Sequence, residues 1–249
     1  MSASEHTPTW TIARHRLGID LPATVFLWVM FAIGVAVLCG VASVITTIGI
    51  SAWEQAAQIP RWYAGGTGVY LTWFHLPLYV THGYTRREFA TQVPVVIAAF
   101  ATVLAALMAV GYLIETFVYR AAGWTQGLTR SHLFDSPDQV HLVFAEFWLV
   151  FLVWTVAGAL LGAAFYRNNG LGMVLIPVAL AMVGVIEYAL GEGIGPMPFG
   201  FLRLLLQPLE VIDARSVAGA AAITTGVLAV GLGLAWAVIR DIPVRNKPA

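Results

Sequence analysis

Thr81-His82-Gly83-Tyr84-Thr85-Arg86-Arg87-Glu88-Phe89 is a short, charged break between two long apolar runs. Its two adjacent arginines and its backbone polar groups have no partners in lipid, so a break of this kind belongs at a water-facing surface. The runs on either side then read as membrane spans. Composition agrees. Of 249 residues, 59% are hydrophobic and 10% charged, against about 25% charged in soluble domains, and the mean hydropathy is +0.80. The fold class expected is all-α: a polytopic membrane protein of six transmembrane helices.

Working outward from the break, residues 1–20 read as a cytoplasmic N-terminal amphipathic lead, with Trp10 at headgroup depth and Arg14, His15 and Arg16 in water. A plain basic flank is the other reading of that stretch. No cleavable signal is expected, since residues 1–20 are polar and the first apolar run is too long for one. Residues 21–240 form the six-span domain and residues 241–249 a cytoplasmic tail. The first span is expected over 21–50 and the second over 64–80, after a loop with Trp53, Trp62 and Tyr63 as interfacial anchors and Pro60 as a breaker. His75 and Pro77 near the end of the second span suggest a kink. The third span covers 91–118. Ser136-Pro137 reads as the start signal of the fourth, which runs to 165 and ends in a Tyr166-Arg167-Asn168-Asn169-Gly170 turn with a glycine stop. The fifth covers 171–190 and the sixth 216–239. Between them, 191–212 reads as a Gly/Pro-rich turn and an outer interfacial or re-entrant segment.

Six spans put both termini on one side. Arg14, Arg16, Arg86, Arg87, Arg167, Arg240, Arg245 and Lys247 fall on that side, and Arg61, Arg120, Arg130, Arg203 and Arg215 on the other. The positive-inside rule makes the first side cytoplasmic. The localisation expected is the cell (cytoplasmic) membrane, multi-pass, with THGYTRREF facing the cytoplasm.

Several chemistries are absent. The sole lysine, Lys247, follows no glycine-rich loop, so there is no P-loop; HExxH, GxSxG and Cys/His clusters are missing too. Formal net charge is zero and no basic-aromatic stripe occurs, so no nucleic-acid partner is implied. The single cysteine, Cys39, lies in an apolar run and reads as a core residue. His75 with His82, and His132 with Asp135, Asp138 and His141, are the candidate metal ligands, weighed against a polar loop and helix-start acids; no metal site is assigned. Glu115, Glu146 and Glu187 each lie near the outer end of a span. They read either as an outer vestibule that attracts cations or as interfacial carboxylates, in water or paired with Arg120, Arg130 or Arg203.

Gly83-Tyr84-Thr85-Arg86-Arg87-Glu88-Phe89, an apolar span before it and a long one after it, and the small-residue run Gly158–Gly170 (GALLGAAFYRNNG) together resemble the membrane subunits of ABC transporters of the ABC type-2 permease family. The resemblance covers most of the chain. It implies two paired permease subunits, identical or similar, each docked on a separate ABC ATPase subunit that binds the ATP and Mg; this chain would bind no cofactor and would not be an enzyme. It further implies a coupling helix between spans two and three, with Arg86, Arg87 and Glu88 on a polar face, Tyr84 and Phe89 as anchors, and Thr85 among the coupling residues. A substrate path at the subunit interface is implied, for which Thr72, Trp73, His75 and Glu187 are the candidates. Two other readings stay open: an integral subunit of a metal or redox enzyme using the histidines, and an ion-coupled secondary transporter using the outer glutamates.

Overall fold

The computed structural model describes residues 10–190 and 216–241. Within them the regular elements are helical: α1 (Thr11–Ile45), α2 (Ala52–Ala56), α3 (Gln58–Tyr70), a π-helical turn (Leu71–His75), α4 (Leu76–Thr81), α5 (Arg86–Ala122), α6 (Val140–Arg167), α7 (Asn169–Ala189) and α8 (Val217–Ile239). Five of these, α1, α5, α6, α7 and α8, are long and apolar enough to cross a membrane. The second expected span is a helical run, Gln58 to Thr81, assembled from α3, the π turn and α4. One end of the bundle carries the Thr81–Arg86 and Arg167–Asn169 turns and is rich in arginine. The opposite end carries the loops after α1 and α5.

The central helix is α6, which packs on α3, α5, α7 and α8. Its small residues make this possible. Gly158 and Gly162 form a G-x-x-x-G face, Gly158 against Gly65 of α3 and Gly162 against Val69 and Thr72, while Gly68 meets Thr155 and Ala159. A Cβ built on Gly68 would lie 2.0 Å from the Thr155 carbonyl oxygen, and one on Gly158 would lie 2.0 Å from the Gly65 carbonyl oxygen. The two backbones therefore touch, which in lipid is the main way helices gain dispersion contact. Thr72 adds a hydrogen bond across the same crossing, donating from Oγ1 to the Ala159 carbonyl at 2.8 Å. By contrast α1 leans chiefly on α5 and leaves most of its apolar surface exposed, including Phe26, Met30, Val37 and Leu38.

Several boundaries differ from the expectations. Residues 11–20 are not a separate interfacial lead but the first turns of α1. Ile12, Ala13 and Arg16 are buried there, and Gln92 of α5 accepts the otherwise orphaned N–H groups of Ile12 and Ala13 at 3.1 and 3.2 Å. Pro60 lies in the first turn of α3, where its missing N–H costs nothing, so the helix begins at Gln58 rather than near 64. Ser136-Pro137 makes a turn in which the Gln139 N–H meets the Ser136 carbonyl, and α6 starts at Val140. Gly170 is not a stop: Asn168 caps α7 by accepting the Gly170 N–H, and the glycine sits in the first turn. The expected outer segment 191–212 and the tail beyond Asp241 lie outside the described residues.

No separate short helix follows the second span. Thr85 and Glu88 form a reciprocal capping box, so the helix that starts at Arg86 runs unbroken for 37 residues, through Pro94, to a left-handed Gly123. Before it, Gly83 at φ 90° turns the chain between α4 and α5. Thr85→Ala removes the cap and is expected to lower stability by about 1 kcal/mol, read as a drop in Tm with unchanged helical content.

Candidate functional site

Three polar regions stand out in an otherwise apolar bundle. The first is the turn at the arginine-rich end. His82, Gly83, Thr85 and Arg87 are exposed. Arg86 donates to the Arg240 carbonyl at the end of α8 at 3.3 Å. Arg167 reaches the Val238 carbonyl at 3.5 Å and Asp241 at 3.8 Å. Phe89 is fully buried and packs 6.1 Å from Tyr79, and Tyr84 is half-buried and meets Tyr79 edge-on at 5.6 Å. The two aromatic rings thus anchor the turn to its own bundle. They are not free to plug a partner, because the first turn of α5 faces inward at Phe89. What projects is backbone, His82 and Arg87.

The second region is an ion pair within the helical body. Arg16 of α1 is 4% exposed and engages both carboxylate oxygens of Asp20 one turn on. Its Nη1 also lies 2.5 Å from His75 Nε2, and its guanidinium carbon sits 5.8 Å from the centre of the Tyr70 ring. The π turn makes this meeting possible. Its extra residue per turn places His75 Nδ1 3.3 Å from the carbonyl of Tyr70, five residues back, with Nε2 turned towards α1. A buried charge is tolerated only when paired; Asp20 is the counter-ion here, and His75 is a further hydrogen-bond partner.

The third region closes the loop end. Glu115 accepts from Ser51 Oγ at 2.6 Å, the Trp53 N–H at 2.9 Å and Gln126 Nε2 at 2.6 Å. Glu54 accepts the N–H groups of Thr129 at 2.9 Å and Arg130 at 2.8 Å. His132 bridges Glu54 to Glu146: its Nδ1 is 2.7 Å from Glu146 and its Nε2 3.4 Å from Glu54. The Leu133 N–H donates to the second Glu146 oxygen at 2.6 Å. Two backbone hydrogen bonds between Gly127 and the Gly49–Ser51 segment complete the latch.

The structure separates most of the residues singled out from sequence. Thr72 is buried against α6 and does not line a path. Trp73 is 43% exposed on the outside of the bundle, stacked on Phe165, while His75 faces Arg16. Glu187 is at the loop end, 3.5 Å from Arg61. Glu115 and Glu146 are buried and hydrogen-bonded to loop groups, and Glu115 also lines a cavity of about 310 Å³ between α1 and α5. His132, Asp135, Asp138 and His141 diverge. His132 turns inward, Asp138 pairs with Arg120 at the surface, and Asp135 and His141 are exposed. His82 bonds the Leu78 carbonyl, away from His75. Among the described residues no group of three His, Cys, Asp or Glu side chains is arranged to hold a metal ion.

Sequence reasoning passed over Glu54, Asp20 and Gln92. Two of these carried a local signal. Ser51-x-x-Glu54 has the spacing of a capped first turn, and Arg16-x-x-x-Asp20 has the spacing of a helical ion pair. Gln92, set among apolar residues of α5, had none.

Fold and composition define an all-α, multi-pass membrane protein. No family model, curated protein or solved structure matches the chain.

Proposed function

We propose that this chain is the permease subunit of an ATP-driven ABC exporter, with six spans, both termini in the cytoplasm of the cell that carries it, and a separate ATPase subunit docked on the 82–87 turn. The sixth crossing is the composite run Gln58–Thr81, whose 24 residues span about 36 Å, enough for a hydrocarbon core of about 30 Å. The observation that carries the reading is the capped, exposed, arginine-bearing turn at the head of α5. A partner that grips Arg87, His82 and the turn backbone holds the end of a rod about 55 Å long. The far part of that rod presents Glu115 to the Ser51–Trp53 segment. Movement at the arginine end is thereby delivered to the loop end through one stiff element, the kind of rigid-body transmission that subunit interfaces use. The buried Phe89 and half-buried Tyr84 favour this, since they tie the turn to its helices and prevent it from yielding alone.

Pairing with a second permease subunit uses the exposed apolar face of α1 and the Trp73 side of the second run. Of the path candidates, Trp73 is the one set on an exposed face, and it remains the residue proposed to meet substrate.

The test is purification of the chain in detergent together with the ATPase encoded beside it, followed by ATPase and transport assays. Arg86→Glu with Arg87→Glu is expected to release the ATPase and abolish transport while leaving Tm within a few degrees of the parent. Full transport by that double variant, or a chain that purifies with no ATPase, overturns the assignment.

A further inference from the structure

The ion pair Arg16–Asp20 borders an opening in the bundle. Helix α1 packs on α5 but stands off α3, and a cleft of about 300 Å³ remains between them. Asp20 and Ala23 line it from α1, Tyr63, Gly66, Thr67 and Tyr70 from α3, and Phe100 forms its floor from α5. Polar contacts bridge α1 and the second helical run at both ends of the cleft. At one end Thr24 Oγ1 is 3.0 Å from the Tyr63 hydroxyl. At the other Arg16 meets His75 and overlies Tyr70. Residues 16 and 24 lie about 12 Å apart along a helix, so the window is long enough for a small molecule.

The lining is chemically one-sided. Asp20 is its single charged residue. Arg16, at one end of the cleft, is not among the residues that line it. Arg16 engages both Asp20 oxygens, and a carboxylate, with about four acceptor sites, keeps acceptor capacity beyond that pairing. Besides Ala23, Gly66 and Thr67, the lining is the rings of Tyr63, Tyr70 and Phe100, with the first and last in contact at 5.8 Å. Aromatic faces attract cations through their quadrupole, most strongly where water is excluded. Tyr70 already does this for the protein's own Arg16. An anion would face Asp20, and a neutral molecule would leave the carboxylate unused.

We propose that this cleft is a binding site, reached from the side of the bundle, for a small amphiphilic organic cation, its ammonium on Asp20 and its apolar body against Tyr63, Tyr70 and Phe100. The inference concerns ligand binding by this chain alone and stands apart from the coupling to an ATPase.

Gly66 supplies a clean control. It is exposed in the middle of the cleft wall, and a Cβ built there meets no atom within 4 Å. Gly66→Leu therefore extends into the cleft from a Cβ that meets no neighbour, and replacing a helical glycine favours the helix. The experiment is equilibrium dialysis of radiolabelled benzyltrimethylammonium against the full chain in phosphatidylcholine nanodiscs, with neopentylbenzene, its uncharged isostere, as competitor. The expected result is saturable binding that neopentylbenzene does not displace, that weakens about tenfold in Asp20→Asn, and that is lost in Gly66→Leu. No saturable binding to the parent chain, displacement by the neutral isostere, or unchanged affinity in Gly66→Leu each overturns the proposal. Displacement by the isostere would identify the cleft as a groove for apolar groups such as lipid chains. The Gly66 variant decides the matter even where Asp20→Asn fails to fold with Arg16 left unpaired.

Discussion

Gly68→Leu is expected to yield no stable bundle. The new Cβ would sit 2.0 Å from the Thr155 carbonyl oxygen and 2.8 Å from the Ala159 nitrogen, both backbone atoms of the central helix. Backbone cannot swing aside as a side chain does, so α3 and α6 must separate. That loses the crossing on which the composite second run depends, including the Thr72 hydrogen bond to Ala159. Overpacking of an ordinary core costs about 1–3 kcal/mol; here the obstacle is main chain on both sides, and the loss should exceed about 3 kcal/mol. The measurement is the monodisperse fraction and Tm in mild detergent. Gly66→Leu, two residues away on the same helix and facing open space, is the matched control and should melt with the parent. A Gly68→Leu protein as stable as the Gly66→Leu protein would show that the α3–α6 crossing is not the close contact described.

His132→Ala is the second change with a large expected effect. The imidazole is 1% exposed and lies between Glu54 and Glu146, which are themselves 1% and 0% exposed. Removing it takes a partner from two buried carboxylates at once and opens a void beneath Phe134, on which the ring is stacked at 4.5 Å. Breaking a buried charged contact from one side typically costs about 3–5 kcal/mol. The loop over 123–139 should loosen first, because Glu54 and Glu146 are what hold Thr129, Arg130 and Leu133. Limited proteolysis should cut that loop faster, and Tm should fall. Arg120→Ala gives the contrast. Its ion pair with Asp138 is 70% and 48% exposed, and exposed pairs contribute about 0–1 kcal/mol. Equal effects of the two substitutions would refute the latch.

These two sites illustrate different kinds of legibility. Gly158 and Gly162 are visible as a small-residue run, yet their partners are not, since Gly65 and Val69 lie about ninety residues earlier and helix pairing leaves no trace in local spacing. His132 was visible as a polar residue near a helix start, and the residues around it in sequence suggested Asp135, Asp138 and His141 as companions. Its actual partners are Glu54 and Glu146, brought there by the meeting of two loops.

The break at 81–89 holds an exposed turn between apolar helical runs, a feature legible in the sequence because charge and hydropathy act locally. It was read wrongly as an independent helix. The capping box at Thr85 and Glu88 starts a helix, but whether that helix stops after two turns or continues for 37 residues depends on what buries Phe89, Val93 and Val96. The same holds for residues 11–20, which become the foot of α1 because Gln92 caps them from another helix.

By itself, then, the sequence determined an all-α chain with long apolar helices and the position of its charged turns, because a bilayer imposes one dominant rule: backbone must satisfy itself and charge must find water or a partner. Only the tertiary structure decided the long-range partners of the buried polar groups. The contact of Arg16 with His75, and that of His132 with Glu54 and Glu146, are set by which elements meet and at what depth, and the α3–α6 crossing is held by backbone contact at glycines whose counterparts lie far away along the chain.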